Sequence, residues 1–179
     1  MPDTDDVLEI ETIAASVEAG TDGIAVANEL VEEADKPSPK ARSLFAQIAT
    51  MTVAEKIKLA LRGNKDARMI LIRDTNKMIR RLVLMNPRVG DGEVIAVARN
   101  RSADDELLRM IADKREWIRN YQVRLALVTN PKTPLPVAMR HLNSMSDNDM
   151  RQLAKSRNVP QAVAVQARRI IATRQPGSG

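Results

Sequence analysis

Apolar positions along the chain recur every three to four residues, in short runs broken by polar stretches that carry Pro, Gly, Asn or Ser. That spacing puts the apolar side chains of each run on one helical face. Few runs alternate with the two-residue period of a strand, so the pattern predicts an all-α chain of short helices.

The punctuation between runs is chemically specific. "SLFAQIATM" opens the folded part near Arg42. Thr52 and Glu55 have capping-box spacing before "VAEKIKLALR", and Gly63 is the expected stop. Asn64 caps "KDARMILIRD". "TNKMIRRLVLMN", Thr75 to Asn86, halts before Pro87, because a residue preceding Pro is pushed out of the α region. "DGEVIAVARN" follows, then "ADDELLRMIADK" with Ser102 and Asp105 as its cap. "EWIRNYQVRLALVTN" reads as one run from Glu116 to Asn130. Ser146 with Asp149 caps "MRQLAKS", and Pro160 opens "QAVAVQARRIIATR".

Two of these marks are the same. Asn86-Pro87 and Asn130-Pro131 lie 44 residues apart. Aligning them sets Ile79 on Val123, Arg80 on Arg124, Val83 on Leu127, Leu84 on Val128 and Arg88 on Lys132. A smaller phrase recurs as "VARNR", "IADKR" and "LAKSR", beginning at Val97, Ile111 and Leu153. A period of about 40 residues built from half-units of about 20 lies in the range of helical solenoids.

"REWIRNYQVRLALVTNPKTPLPVAMRHL", Arg115 to Leu142, resembles a leucine-rich repeat variant unit, a relative of HEAT-like repeats. The matching features are Trp117, "VRLAL", "NPKTP" and "VAMRHL"; the unit at Met78–Ala98 keeps Asn86-Pro87 but has "RVGDGE" where "KTPLP" stands later. The resemblance implies a right-handed α-solenoid of short antiparallel helices and a binding role rather than catalysis. Some proteins with this repeat hold a cysteine-bound iron–sulfur cluster, and this chain has no Cys to carry one.

Charge adds a partner to that picture. Residues 1–35 hold eleven acids and no Lys or Arg; the remainder holds all 28 bases and twelve acids, a net of +16. Nineteen of the bases are Arg. Residues 1–40, acidic, without Trp, Tyr or Phe and ending in "DKPSPK", are expected to be a largely disordered arm and linker, in which Gly23–Ala34 is suited to a transient or partner-induced amphipathic helix. Residues 41–174 are the expected repeat domain and 175–179 a frayed tail. An arm of this charge is suited to lie over a basic face and compete with an anionic partner.

A +16 body attracts anions. The expected basic face comprises Arg80, Arg81, Arg88, Arg99, Arg101, Arg119, Arg124, Lys132, Arg140 and Arg157. If repeats stack, Arg80 and Arg124 fall in one file, and Arg88 and Lys132 in another. An acidic protein segment is the first expected partner, because solenoids mostly bind polypeptide. DNA or RNA is the alternative, weakened by a single Trp, Tyr and Phe, since bases are read largely by stacking.

Catalytic and metal readings fare worse, and no cofactor is expected. His141 is the only histidine, expected as a partly exposed position on a short helix. "VGDGEV" lacks the third Gly and Lys of a phosphate loop. "SDNDM" lacks the central Gly and distal Glu of a calcium loop. Asp104, Asp105 and Glu106 suit the first turn of a helix, where its dipole favours acids. Trp117 and Tyr121 share a helix face and are expected to pack between repeats. A HEAT-like DNA glycosylase would need a carboxylate beside an aromatic pocket, and Glu116 next to Trp117 is a poor candidate for one. The absence of Cys fits a reducing cytoplasm; no signal-peptide layout or apolar run of about 18 residues stands in the chain.

Overall fold

A computed structural model describes residues 4–33 and 41–174, and these form α-helices and a 3-10 turn, with no strand among them. The expected linker Asp35–Lys40 and the tail 175–179 lie outside the described residues. The chain divides into two compact units, meeting at Val89 and Gly90.

The first unit contains α1 (Thr4–Ala19), a 3-10 turn (Asn28–Leu30), α2 (Ala41–Ala49), α3 (Val53–Arg62), α4 (Lys65–Leu71) and α5 (Lys77–Met85). Helix α3 starts as its sequence dictates. The Thr52 N–H donates to Glu55 Oε2 at 2.7 Å, and the Glu55 N–H donates to Thr52 Oγ1 at 3.3 Å. Ile57, Leu59, Ala60 and Leu61 then bury the helix in the unit's aliphatic core. Helix α3 packs on α5, α4 and α1.

The acidic segment departs from the expected loose arm. Helix α1 sets Ile10, Ala14 and Val17 at helical spacing on one face, and all three are buried with Leu30 in the core of the first unit. Burying Ile10, Val17 and Leu30 contributes roughly 1.5–3 kcal/mol each. Composition conceals this, because the acids of α1 occupy the other face: Asp5, Asp6, Glu9, Glu11 and Glu18 are all exposed. Side chains of the basic helices complete the docking. Arg62 Nη2 donates to the carbonyls of Val17 and Glu18 at 3.3 and 3.1 Å. Asn64 Nδ2 donates to those of Glu29 and Glu32 at 2.8 and 3.1 Å.

Gly63 ends α3 for a different reason from the one expected. Its φ is −62°, so no left-handed cap is needed. The constraint is space, since a Cβ there would stand 2.3 Å from the Leu59 carbonyl oxygen.

The second unit contains α6 (Asp91–Arg99), α7 (Asp105–Asp113), α8 (Arg115–Arg119), α9 (Tyr121–Thr129), α10 (Leu135–Leu142), α11 (Asp147–Lys155) and α12 (Gln161–Arg174). Here α6 packs on α9, α9 on α10, and α12 on both α10 and α11. Two expected boundaries move. Asp104, not Ser102, is the N-cap of α7, because Asn100 Oδ1 holds the Ser102 N–H in a turn at 2.9 Å. The expected run from Glu116 to Asn130 breaks at Asn120, whose Oδ1 accepts the Gln122 N–H at 2.9 Å and starts α9 as a separate helix. Ser146 caps α11 as expected, accepting from the Asp149 N–H at 3.2 Å.

The Asn-Pro marks have one structural role in both units. Asn86 is buried, and its Nδ2 donates to the Ala60 and Gly63 carbonyls at 3.0 and 3.4 Å, at the end of α3. Asn130 is buried, and its Nδ2 donates to the Ala98 and Asn100 carbonyls at 2.7 and 2.9 Å, at the end of α6. Each Oδ1 accepts the N–H two residues on, from Arg88 and Lys132, at 2.9 Å. One side chain thus ties its own helix end to another and satisfies carbonyls that a helix C-terminus leaves without partners. The Pro that follows lacks an N–H, so it cannot extend the helix.

Candidate functional site

The ten basic residues expected to form one face have different surroundings. In the first unit, Arg80 is half-buried and Arg81 exposed. Arg88 Nη1 donates to the Val31 carbonyl at 2.7 Å, so this guanidinium holds the acidic segment. In the second unit, half-buried Arg124 donates through Nη1 to the Ile118 and Arg119 carbonyls at 2.6 and 2.9 Å. Arg140 is exposed and faces Asp113 at 3.5 Å. Arg101, Arg119, Lys132 and Arg157 are exposed, and their side chains make no hydrogen bond or ion pair among the described residues.

Arg99 and Arg101 are brought together. Both line a cleft of about 380 Å³ in the second unit, at the end of α6 and against α9 and α11. Its lining also includes Leu125, Ala126, Leu153 and Val159. Arg157 stands between Ser156 and Asn158, which also line it. Arg99 Nη2 donates to Gln122 Oε1 at 3.2 Å, which orients one guanidinium and leaves its other N–H groups available. Asp149 is the one acid on the lining. Its carboxylate accepts Ser146 Oγ at 2.7 Å and the Tyr121 hydroxyl, so its charge is shared with two donors.

Charge is distributed differently from the bare sequence count. The first unit has 13 bases and 14 acids, a net of −1; the second has 15 bases and 9 acids, a net of +6. In the first unit, the acidic segment is the counter-charge. Lys58 Nζ lies 2.7 Å from Asp22 and Arg68 Nη1 lies 2.7 Å from Glu33. The hydrogen bond from Lys58 holds the Asp22 carboxyl below its ordinary value. Burial works to raise Glu33, but hydrogen bonds from Arg68 and the Lys65 N–H outweigh it and leave that carboxyl lowered as well. Arg68 is only 2% exposed and was absent from the expected face. Its one sequence signal is its place on the apolar face of α4, four residues before Ile72.

His141 is buried, not partly exposed, and its Nε2 has no hydrogen-bond partner among the described residues. Burial, then the charges of Arg140 and Arg124, push its pKa down. Trp117 is buried beneath the Lys114 ammonium, 4.1 Å from the ring centre, whereas Glu116 is exposed. No group of three or more His, Cys, Asp or Glu placed to hold a metal ion occurs among the described residues. No described helix is long and apolar enough to cross a membrane.

No protein-family model, no curated protein and no solved structure matches the chain. The resemblance to leucine-rich repeat variants therefore rests on the residues quoted for it.

Proposed function

We propose that this chain is a non-enzymatic binding module that recognises an acidic protein segment through the basic surface of its second unit. The observation that carries the reading is the cleft itself: two arginines and aliphatic side chains on its lining, in a unit of charge +6. Arginines suit carboxylates and carbonyls by their fork of donors, and half-buried Leu125 and Val159 offer an aliphatic side chain somewhere to bury. A nucleic acid would use the charge but not that apolar lining. The second unit's two aromatics are occupied, with Trp117 buried and Tyr121 bonded to Asp149, and the exposed Phe45 belongs to the first unit.

The fuller architecture belongs to the same proposal: a right-handed α-solenoid of HEAT-like, leucine-rich-repeat-variant type. Supporting it are the Asn86 and Asn130 ties and the packing of α3 on α5, α6 on α9 and α10 on α12. An elongated small-angle scattering profile of the full chain checks it, and a profile of a compact sphere overturns it. A reducing, cytoplasmic setting suits a chain without Cys.

Fluorescence anisotropy with the full chain tests the binding reading. The probes are a labelled Glu/Leu copolymer and a single-stranded oligonucleotide of equal charge. The copolymer is expected to bind the more tightly, and charge reversal at Arg101, Arg119, Lys132 and Arg157 to weaken it at least about tenfold. Tighter oligonucleotide binding with a steep salt slope would favour DNA or RNA instead. No retention of either probe at about 0.1 M salt, where screening is moderate, overturns both readings.

A further inference from the structure

Resting on that reading, we propose that the cleft of the second unit receives the C-terminal end of an acidic helix of the partner polypeptide. The first unit already binds such an end. Helix α1 is acidic and has no base in its last turn. Two carbonyls of its last turn, on Val17 and Glu18, accept from Arg62, the last residue of α3. Val17 is 1% exposed in the core beside it. The chain then continues past Asp22 and Ile24, both held by Lys58 Nζ, at 2.7 and 2.6 Å.

Helix α6 is the counterpart of α3. Each opens with an N–H donating to a Glu carboxylate three residues on: Thr52 to Glu55 at 2.7 Å and Gly90 to Glu93 at 3.1 Å. Each closes with carbonyls that receive an Asn-Pro asparagine, Asn86 or Asn130. Both correspondences run at an offset of 38, from Thr52 to Gly90 and from Ala60 to Ala98. Carried forward, that register sets Asn100 where α3 has Arg62, with Arg99 and Arg101 on either side of it. The position that caps α1 in the first unit is thus flanked by two exposed arginines in the second, and both line the cleft.

The chemistry matches a helix end more closely than a string of carboxylates. The last four carbonyls of a helix have no internal partners, and the dipole places negative charge there. Arg101, with five donors and none engaged among the described residues, suits such an end, and acids in the partner's last turns add to the attraction. Half-buried Leu125 and Val159, on the same lining, give the partner an apolar seat.

The test uses the full chain and a synthetic peptide with the sequence of residues 4–27, carrying a photo-cross-linker near its helix end. Comparison probes are the same peptide with a mid-helix proline and a polyglutamate of equal charge. The expected result is binding at least about tenfold tighter than either comparison probe, with cross-links at residues 97–101 and 153–159. Arg99→Glu with Arg101→Glu should weaken it at least about tenfold; Arg101→Gln should do so in part, with circular dichroism unchanged. Equal binding of polyglutamate overturns helix-end recognition while leaving the basic-surface reading intact. Cross-links at residues 58–68 overturn it too, because the peptide would then be exchanging with the chain's own acidic segment. Absence of binding to any of the three removes both.

Discussion

Arg80 and Arg124, 44 residues apart, make the same hydrogen bond. Nη1 of each donates at 2.6 Å to the carbonyl six residues before it, of Asp74 and of Ile118. Each clamps the chain that leads into its own helix, α5 or α9. A file of free arginines is thus not what this recurrence encodes. Charge-assisted bonds of this kind contribute about 1.5–3 kcal/mol. Arg124→Ala should lower unfolding free energy in urea by about 1–3 kcal/mol. Arg101→Ala, at an exposed position, should stay within about 0.5 kcal/mol. Equal effects of the two would refute the assignment.

The Asn-Pro ties give a sharper case. Asn86→Ala and Asn130→Ala each leave buried carbonyls at a helix end without a donor, at a cost of about 1–3 kcal/mol. Asn→Asp should be no better, because a carboxylate cannot donate to a carbonyl. Thermal melts of the four variants check this, and an Asp variant as stable as the parent would contradict it.

Gly63 stands where its missing side chain matters. Gly63→Ala forces a Cβ against the Leu59 carbonyl, whose oxygen also accepts the Gly63 N–H at 2.7 Å. Overpacking against backbone costs about 1–3 kcal/mol. Gly92→Ala, which meets nothing within 4 Å, should be neutral or stabilising, because helix α6 gains propensity. Urea midpoints of the two variants provide the comparison.

His141 links stability to pH. Its folded pKa lies below the ordinary 6.5, so between those values the unfolded chain binds the proton and the folded one does not. Stability is full above pH 6.5 and is lost as pH falls towards the folded value, with a slope of at most about 1.4 kcal/mol per pH unit for one proton. Urea melts between pH 7.5 and 5 should show that decline. His141→Met should flatten it, and an unchanged slope in the variant would assign the decline to other groups.

Local chemistry was legible because it depends on neighbours in sequence. The Thr52–Glu55 box, the Asn64 and Ser146 caps and both Asn-Pro ends stand where side-chain and backbone spacing put them. The break at Asn120 is not legible in the same way, since a helix-compatible apolar period runs straight through it and only its short-range cap to Gln122 interrupts the helix. The packing of α1 was hidden by averaging: a net charge over 35 residues cannot show that the acids and Ile10, Ala14 and Val17 sit on opposite faces. The arginines could not be sorted at all from sequence. Arg68, Arg88, Arg101 and Arg124 look alike there, and their different tasks depend on carbonyls and carboxylates elsewhere in the fold.

The sole tryptophan, Trp117, and the sole tyrosine, Tyr121, both belong to the second unit, while the sole phenylalanine, Phe45, belongs to the first. Indole emission therefore watches α8 and its surroundings and is optically blind to the loosening of α1 from α3. An emission trace and a far-ultraviolet trace that part company during denaturation would assign to each unit its own transition, without a single added label.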